Sequence, residues 1–394
     1  MTQLPLLPGA TLGVMGGGQL GRMFVHAAQS MGYFTAVLDP DASSPAGRVS
    51  HHHVQADYLD AQGLAELARL CDAVTTEFEN VPAPALAQLA TRLPVTPAAE
   101  AVAIAQDRTS EKAHFTRLGV PCAPYAVIDS DADVAQVPDS LLPGILKTAR
   151  LGYDGKGQVR VKTRAELAAG WAQLQRATCV LEQMLPLAAE CSVIVARGRD
   201  GQMVHFPVQH NLHRDGILAV TTVHDDVLPA AQSAQAVAAA RAIAEGLAYV
   251  GVLCVEFFVL QDGRLVVNEI APRPHNSGHY SLNACDVSQF ELQVRTLTGL
   301  PLVAPRQHSP TIMLNLLGEL WFDANGVRSS TSDTPVAPPW DQVLALPGAH
   351  LHLYGKLKAA RARKMGHLNI TGATVETVRA TALQAAALLG IAAF

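Results

Sequence analysis

A chain of 394 residues exceeds one ordinary core, and at roughly 150 residues per domain it divides into two or three. Hydrophobic residues make up 49% and charged residues only 16%, a balance that supplies large cores and excludes a disordered or low-complexity chain. With Lys+Arg at 29 against Asp+Glu at 34 the net charge is -5, so no global basic field exists to hold nucleic acid.

The first charged residue is Arg22, and Pro5, Pro8 and Gly9 interrupt the stretch before it, so neither a signal peptide nor a membrane span is expected. Residues 11–15 read as a strand, 16–21 as a glycine turn, and the following residues to 28 as a helix; 35–38 and 73–76 read as further strands. This βαβ pattern predicts a parallel sheet with helices on its faces. Gly16, Gly18 and Gly21 satisfy G-x-G-x-x-G, and Asp39 lies about 20 residues on, where a dinucleotide fold binds a ribose hydroxyl. The physical content is narrower, because glycines and a helix N-terminus near Gln19 suit any phosphate monoester. A phosphate site, a dinucleotide site and a mere tight turn all remain open. His51, His52 and His53 fall in a predicted loop without carboxylate or cysteine partners nearby, which argues against a metal there.

The Pro/Ala-rich segment 93–97 closes the first domain, and a helix runs through Lys112 to Leu118. Apolar runs at 144–146 and 159–161 flank Lys147, Gly152, Gly155, Lys156 and Gly157, which suggests two strands joined by a glycine loop. Such a loop can fold over phosphates while Lys147 supplies a point charge; it is not a Walker A motif, and an exposed hairpin with incidental lysines is the alternative. An Ala-rich helix is predicted over 230–248.

Residues 255–270 predict a hairpin. Asp262-Gly263 is the strongest short turn signal, and a two-residue turn centred there sets Glu256 directly across from Glu269. Two facing carboxylates weaken a sheet unless a cation lies between them, and hard oxygen ligands suit Mg²⁺ bridging phosphates. A protonated or solvent-exposed pair is the alternative. Arg273, His275 and Asn276 follow at once, able to donate to an oxyanion, or else simply surface residues. After residues 299–301 a third segment holds a strand at 311–317, a basic run over 354–367 that is either a solvated face or an anion pocket, and a helix at 375–389. Cys71, Cys122, Cys179, Cys191, Cys254 and Cys285 are scattered without a C-x-x-C pair, as reduced thiols of a cytoplasmic protein would be.

Seven segments in order carry a resemblance: 16–23 (GGGQLGRM), 76–81 (TEFENV), 106–108 (QDR), 152–158 (GYDGKGQ), 211–218 (NLHRDGIL), 268–279 (NEIAPRPHNSGH), and 354–356 (YGK) with 363–367 (RKMGH). Together they resemble the ATP-grasp superfamily and, within it, the N5-carboxyaminoimidazole ribonucleotide synthase family of purine biosynthesis. The resemblance implies an α/β and α+β chain of three domains: a Rossmann-like domain over 1–104, an ATP-grasp domain over 105–300 with a mobile lid at about 120–186, and a small C-terminal domain over 301–394.

It also implies a ligand set. ATP would lie with Arg108 and Lys147 on its phosphates and Gly152, Tyr153, Asp154, Gly155, Lys156, Gly157 and Gln158 above them. Glu182, Gln183, Met184 and Leu185 would meet the adenine and Glu190 the ribose, with His213, Asn268 and Glu269 as further contacts. Glu256 and Glu269 would hold Mg²⁺. Gly18, Gln19, Leu20, Glu77, Tyr153, Asp154, Arg273, Lys356 and Arg363 would line a site for aminoimidazole ribonucleotide, its phosphate on the first glycine loop. Arg273, His275, Asn276 and Lys356 are the candidates for holding bicarbonate and carboxyphosphate, where preorganised donors stabilise developing charge.

The implied reaction is ATP-dependent carboxylation of the ribonucleotide through carboxyphosphate, releasing ADP and phosphate. The implied partners are small molecules only, with no nucleic acid and no membrane, in a homodimer. The rival readings are an NAD-dependent oxidoreductase, which leaves Glu256 and Glu269 unexplained, and a noncatalytic nucleotide-binding protein, which need not keep both carboxylates. A formate-using or biotin-carboxylating relative is the nearest enzymatic alternative.

Overall fold

The computed structural model describes residues 5–152, 157–322 and 337–394. The N-terminal sheet consists of β1 (Thr11–Met15), β2 (Phe34–Leu38), β3 (His52–Val54), β4 (Ala73–Thr76) and β5 (Val95–Thr96), all parallel, in the order β3-β2-β1-β4-β5. The chain leaves β1 toward β2 on one side and β4 on the other, so a crevice opens at its C-terminal end. There Gly16 takes a φ of +100°, a turn that side-chain-bearing residues adopt only under strain, and helix Gln19–Ser30 begins. That helix buries Leu20, Met23, Phe24, Val25 and Ala28. The histidine triplet is not wholly loop: His52 and His53 lie in β3, where ladder bonds to β2 order them. His51 Nδ1 meets the Thr35 hydroxyl at 3.1 Å, and His53 Nε2 lies 3.1 Å from the Asp39 carbonyl.

A second, four-stranded antiparallel sheet has β6 (Tyr125–Ile128), β7 (Gly144–Thr148), β8 (Gln158–Val161) and β9 (Cys179–Gln183) in the order β6-β9-β7-β8. Helix Arg164–Gln173 covers it, burying Leu167 and Trp171 in a small core of its own with Ile128, Leu146 and Leu181. Residues 153–156 of the glycine loop lie outside the described residues, and with them Tyr153, Asp154, Gly155 and Lys156.

The remaining strands are β10 (Leu187–Arg197), β11 (Met203–His205), β12 (Gln209–Arg214), β13 (Ile217–Val223), β14 (Gly251–Leu260), β15 (Leu265–Ala271), β16 (Thr311–Leu317), β17 (Ala349–Leu353) and β18 (Lys364–Thr371). They form one sheet in the order β15-β14-β10-β12-β13-β16-β18-β17, with β11 on β10. The segment after Pro301 therefore adds β16, β18 and β17 to an existing edge through the β13–β16 pairing, and helix Val375–Leu389 covers that extension. On the other half of the sheet, the Ala-rich helix Ala230–Gly246 packs Ala236, Ala240, Ile243 and Ala244 against Val193, Val195 and Val255; small side chains let helix and sheet approach closely.

The β14–β15 hairpin differs from the expected two-residue turn. Leu260 N–H donates to the Arg264 carbonyl at 2.8 Å and Gly263 N–H to the Leu260 carbonyl at 2.9 Å, so Gln261, Asp262 and Gly263 form a three-residue loop closed by Gly263 at φ +84°. Near that loop Val259 faces Leu265 and Phe257 faces Val267, one residue out of the expected register. A bulge at Asn268 takes up the extra residue, and Glu256 then faces Glu269.

Candidate active site

A cavity of about 780 Å³ opens between the two antiparallel sheets. Ile145, Lys147, Gln158 and Arg160 come from β7 and β8, Leu187 and Glu190 from β10, Glu256 and Phe258 from β14, and Asn268 and Glu269 from β15. Arg108, Gly152, Gly157 and His213 complete much of the wall. Strand alternation explains the set, because Glu256 and Phe258, two residues apart, point to one face of β14.

Each facing carboxylate has a cationic or ring partner within the chain. Arg108 Nη1 donates to Glu269 Oε2 at 2.9 Å, and His275 Nε2 lies 2.9 Å from Glu256 Oε1. Burial raises the Glu256 carboxyl, but His275, His213 and Lys364 outweigh it and hold the group below the usual carboxylate range. The buried Oδ1 of Asn268, the bulged residue beside Glu269, has no hydrogen-bond partner. Two facing carboxylates and an unsatisfied amide oxygen are hard oxygen donors on one wall, which fits a divalent cation shared with phosphates and water. Among the described residues no group of three or more His, Cys, Asp or Glu side chains is disposed to hold an ion by itself.

Lys147 Nζ donates to Glu182 Oε2 at 2.9 Å. Burial raises the Glu182 carboxyl, yet Lys147 and Lys112 overcome that and bring it down to about 2. Glu190 and His213, also on the wall, stand 2.8 Å apart; burial lowers the imidazole, and Glu190 more than restores it, so the net shift is upward.

A second cavity of about 400 Å³ adjoins the first and shares Glu79, Arg273, His275 and Lys364 with it. Gly18, Gln19, Leu20, Glu77, Asn276, Lys356 and Arg363 also line it. The first glycine loop is not an open anion seat as expected. Gly18 and Gly21 amides donate to the two Glu77 oxygens at 2.9 and 3.0 Å, and the Gly17 amide donates to Asp39 Oδ2 at 2.7 Å. Asp39 Oδ2 also accepts from the Tyr58 hydroxyl at 2.8 Å, so it is not left for a ribose. A phosphate at this loop meets two resident carboxylates, and the free N–H groups of the first helical turn narrow to those near Gln19 and Leu20. Burial raises the Glu77 carboxyl, opposed by the Gly21 and Gly18 amides and by Arg273.

Positive charge in this second cavity comes from Arg273, Lys356, Arg363 and Lys364. Arg273 pairs with Glu79 through Nε. Lys356 Nζ donates to the Lys364 carbonyl at 2.7 Å, and burial, helped by Arg363, lowers its pKa to about 8. Arg363 is exposed, with Nη1 donating to the Lys358 carbonyl at 2.9 Å.

Two of the expected site segments make hydrogen bonds within the protein. Asn276 is buried, and its amide exchanges two hydrogen bonds with Asn315, at 3.0 and 2.6 Å, which leaves little for an oxyanion. In the segment Glu182, Gln183, Met184 and Leu185, the Gln183 and Met184 amides donate to the Pro124 and Pro143 carbonyls at 2.9 and 3.0 Å, and the Glu182 side chain turns to lysines. Sequence pattern assigns no role to three residues that the structure brings to the site: Glu79, which pairs with Arg273; Lys112, a helical lysine that reaches Glu182; and Glu111, which accepts the Ile270 amide at 2.7 Å.

Comparison with known proteins covers all three parts of the chain. Residues 9–106 match the model of the ribonucleotide synthetase preATP-grasp domain, 113–290 the ATP-grasp domain, and 311–381 the phosphoribosylaminoimidazole carboxylase C-terminal domain. The N5-carboxyaminoimidazole ribonucleotide synthase of Brucella melitensis biotype 1 is 44% identical over 93% of this chain and 98% of its own length. The crystal structure of N5-carboxyaminoimidazole synthetase from Staphylococcus aureus complexed with ADP superposes with a TM-score of 0.87 at 36% identity, covering 98% of this chain and 99% of that one. That of N5-carboxyaminoimidazole synthase from Aspergillus clavatus, in complex with ADP and 5-aminoimidazole ribonucleotide, gives 0.86 at 29% identity, covering 98% and 100%. With three domain models in order and curated relatives matched nearly end to end, this chain belongs to the N5-carboxyaminoimidazole ribonucleotide synthase family of ATP-grasp ligases.

Proposed function

We propose that this chain carboxylates 5-aminoimidazole ribonucleotide at its exocyclic amine with ATP and bicarbonate, releasing ADP and phosphate. The carrying observation is the shared wall: Arg273 and His275 face both a cavity large enough for a nucleotide and a second cavity lined by Lys356 and Arg363. A group activated in the first can be handed to an acceptor in the second without crossing bulk water.

Arg108 and Lys147, which pair with Glu269 and Glu182, would meet the phosphates of ATP, each exchanging its carboxylate partner for a phosphate oxygen. Glu256, Glu269 and the unsatisfied Asn268 Oδ1 would hold Mg²⁺, which when bound neutralises charge on the phosphates. Bicarbonate seated against Arg273 attacks the γ-phosphorus, ADP departs, and carboxyphosphate forms with its charge facing Arg273 and His275. The amine of the ribonucleotide then captures carboxyphosphate, or the CO₂ it releases, and phosphate leaves. Lys356, with its pKa near 8, is mostly protonated at neutral pH and supplies positive charge beside the acceptor. Glu77, held by the glycine loop, lines the same cavity and would meet the ribonucleotide there.

Six free cysteines, four of them buried, suit a reducing cytoplasm, which this reading takes as the location. It takes the working unit as a homodimer, on the family resemblance, and light scattering of the purified chain checks that. The function itself is tested by a coupled ADP assay. ADP release is expected only when ribonucleotide, bicarbonate and Mg²⁺ are all present; release that ignores the ribonucleotide would overturn the reading.

A further inference from the structure

Lys112 is the least accessible charged side chain around the larger cavity. It has 0% side-chain exposure and no place on the cavity wall, so it touches neither solvent nor a ligand seated there. Its ammonium reaches two elements that belong to different sheets. It lies 3.2 Å from Glu182 Oε1 on β9 and donates to the carbonyl of Asn268, the bulged residue of β15, at 3.0 Å. The first contact is a charge contact rather than an aligned hydrogen bond, since Oε1 has no aligned donor. Glu182, itself only 4% exposed at the side chain, is therefore shared by two lysines, Lys112 on one oxygen and Lys147 on the other.

Sequestering an ammonium completely is unfavourable unless its charge answers another buried charge, and stranding one partner of such a pair is more unfavourable still. Lys147 is exposed to the cavity and Lys112 is not. When a triphosphate enters, Lys147 must turn from Glu182 to a phosphate oxygen. Without a second cation, that motion would leave Glu182 buried and unpaired, and the enzyme would hold Lys147 back by the same amount.

We propose that Lys112 is a positioning residue for nucleotide binding: the standing counter-ion of Glu182, which releases Lys147 to the phosphates. The same ammonium holds the carbonyl of Asn268 and so steadies the bulge that sets Glu269 across from Glu256. The proposal rests on the reading of the larger cavity as an ATP site.

The test is titration calorimetry of the full-length chain with Mg²⁺ and the non-hydrolysable ATP analogue AMP-PNP, which is separate from any measure of carboxylation. In Lys112→Met, Glu182 is left to Lys147 alone, and the dissociation constant is expected to rise at least tenfold. In the double variant Lys112→Met/Glu182→Gln no charge is stranded, and affinity is expected to recover at least fivefold relative to the single variant. A role confined to packing predicts no such recovery. An unchanged dissociation constant in Lys112→Met overturns the proposal, as does a double variant bound no better than the single one. Should Lys112→Met fail to fold, the double variant is compared with the wild type, and a dissociation constant raised tenfold or more overturns it. Failure of the broader functional reading shows instead as wild-type protein that binds the analogue but releases no ADP in response to the ribonucleotide.

Discussion

Glu256 stands directly across from Glu269 because Asn268 is bulged out between Val267 and Glu269, which returns the hairpin to register after a three-residue loop. The bulge places an amide oxygen beside the two carboxylates and leaves it without a partner. A buried acceptor without a donor costs roughly 1–3 kcal/mol, which a cation or water at this oxygen would recover. Asn268→Ala is expected to leave the ligand-free protein as stable as before, or more stable by about 1 kcal/mol, while Mg²⁺-dependent ADP release falls at least tenfold. Thermal denaturation and the ADP assay read the two effects separately; a variant that is destabilised and fully active would remove Asn268 from the site.

Glu269→Ala is expected to abolish ADP release with the fold retained. The Arg108–Glu269 pair is 18% and 38% exposed at its side chains, so its loss changes stability by no more than about 1 kcal/mol. Turnover at the wild-type rate would sink the assignment of Glu269 to the metal.

The facing pair was legible because a hairpin is a local object: a turn signal and two strands fix which residues meet. Even so, the expected route was wrong in two places that cancelled, since neither the third loop residue, Gln261, nor the bulge at Asn268 announces itself in residue types. Contacts made over long sequence separations were less legible. Glu77 reaches the glycine loop from 59 positions away and Asn315 reaches Asn276 from 39, and a list of polar residues does not say which of them will already be paired. Lys112 was hidden for a related reason, because a helical lysine is normally solvated and only the docking of two sheets buries this one.

The glycine loop offers a third prediction. A β-carbon at Gly18 would collide with the Glu77 carboxylate, displacing it from the Gly18 and Gly21 amides. Gly18→Ala is therefore expected to raise KM for the ribonucleotide at least tenfold while AMP-PNP binding stays within about twofold, because the larger cavity lies on other elements. Gly16→Ala meets the same carboxylate and also forces a φ of +100° on alanine, so it is expected to destabilise the chain by more than about 1 kcal/mol. Equal losses of nucleotide and ribonucleotide affinity in Gly18→Ala would place Glu77 outside the acceptor site.

Lys356 makes the pH dependence specific. Burial, with Arg363 nearby, lowers its pKa from 10.5 to about 8, so the ammonium loses its proton as pH rises through 8. If that charge receives the ribonucleotide and carboxyphosphate, coupling of ATP cleavage to carboxylation falls across the same range. The effect on stability has the opposite sign. Between pH 8 and 10.5 the unfolded chain binds the proton that the folded chain has given up, so this group makes stability rise with pH there, while below pH 8 its penalty is constant. Lys356→Met should remove both trends together: lower coupling at every pH without the step near 8, and a melting temperature that no longer gains from this group above it. Measuring ADP and carboxylated product in parallel from pH 6.5 to 9.5 checks this, beside thermal melts of both proteins. A Lys356→Met variant that keeps the wild-type decline near pH 8 would show that another group sets it.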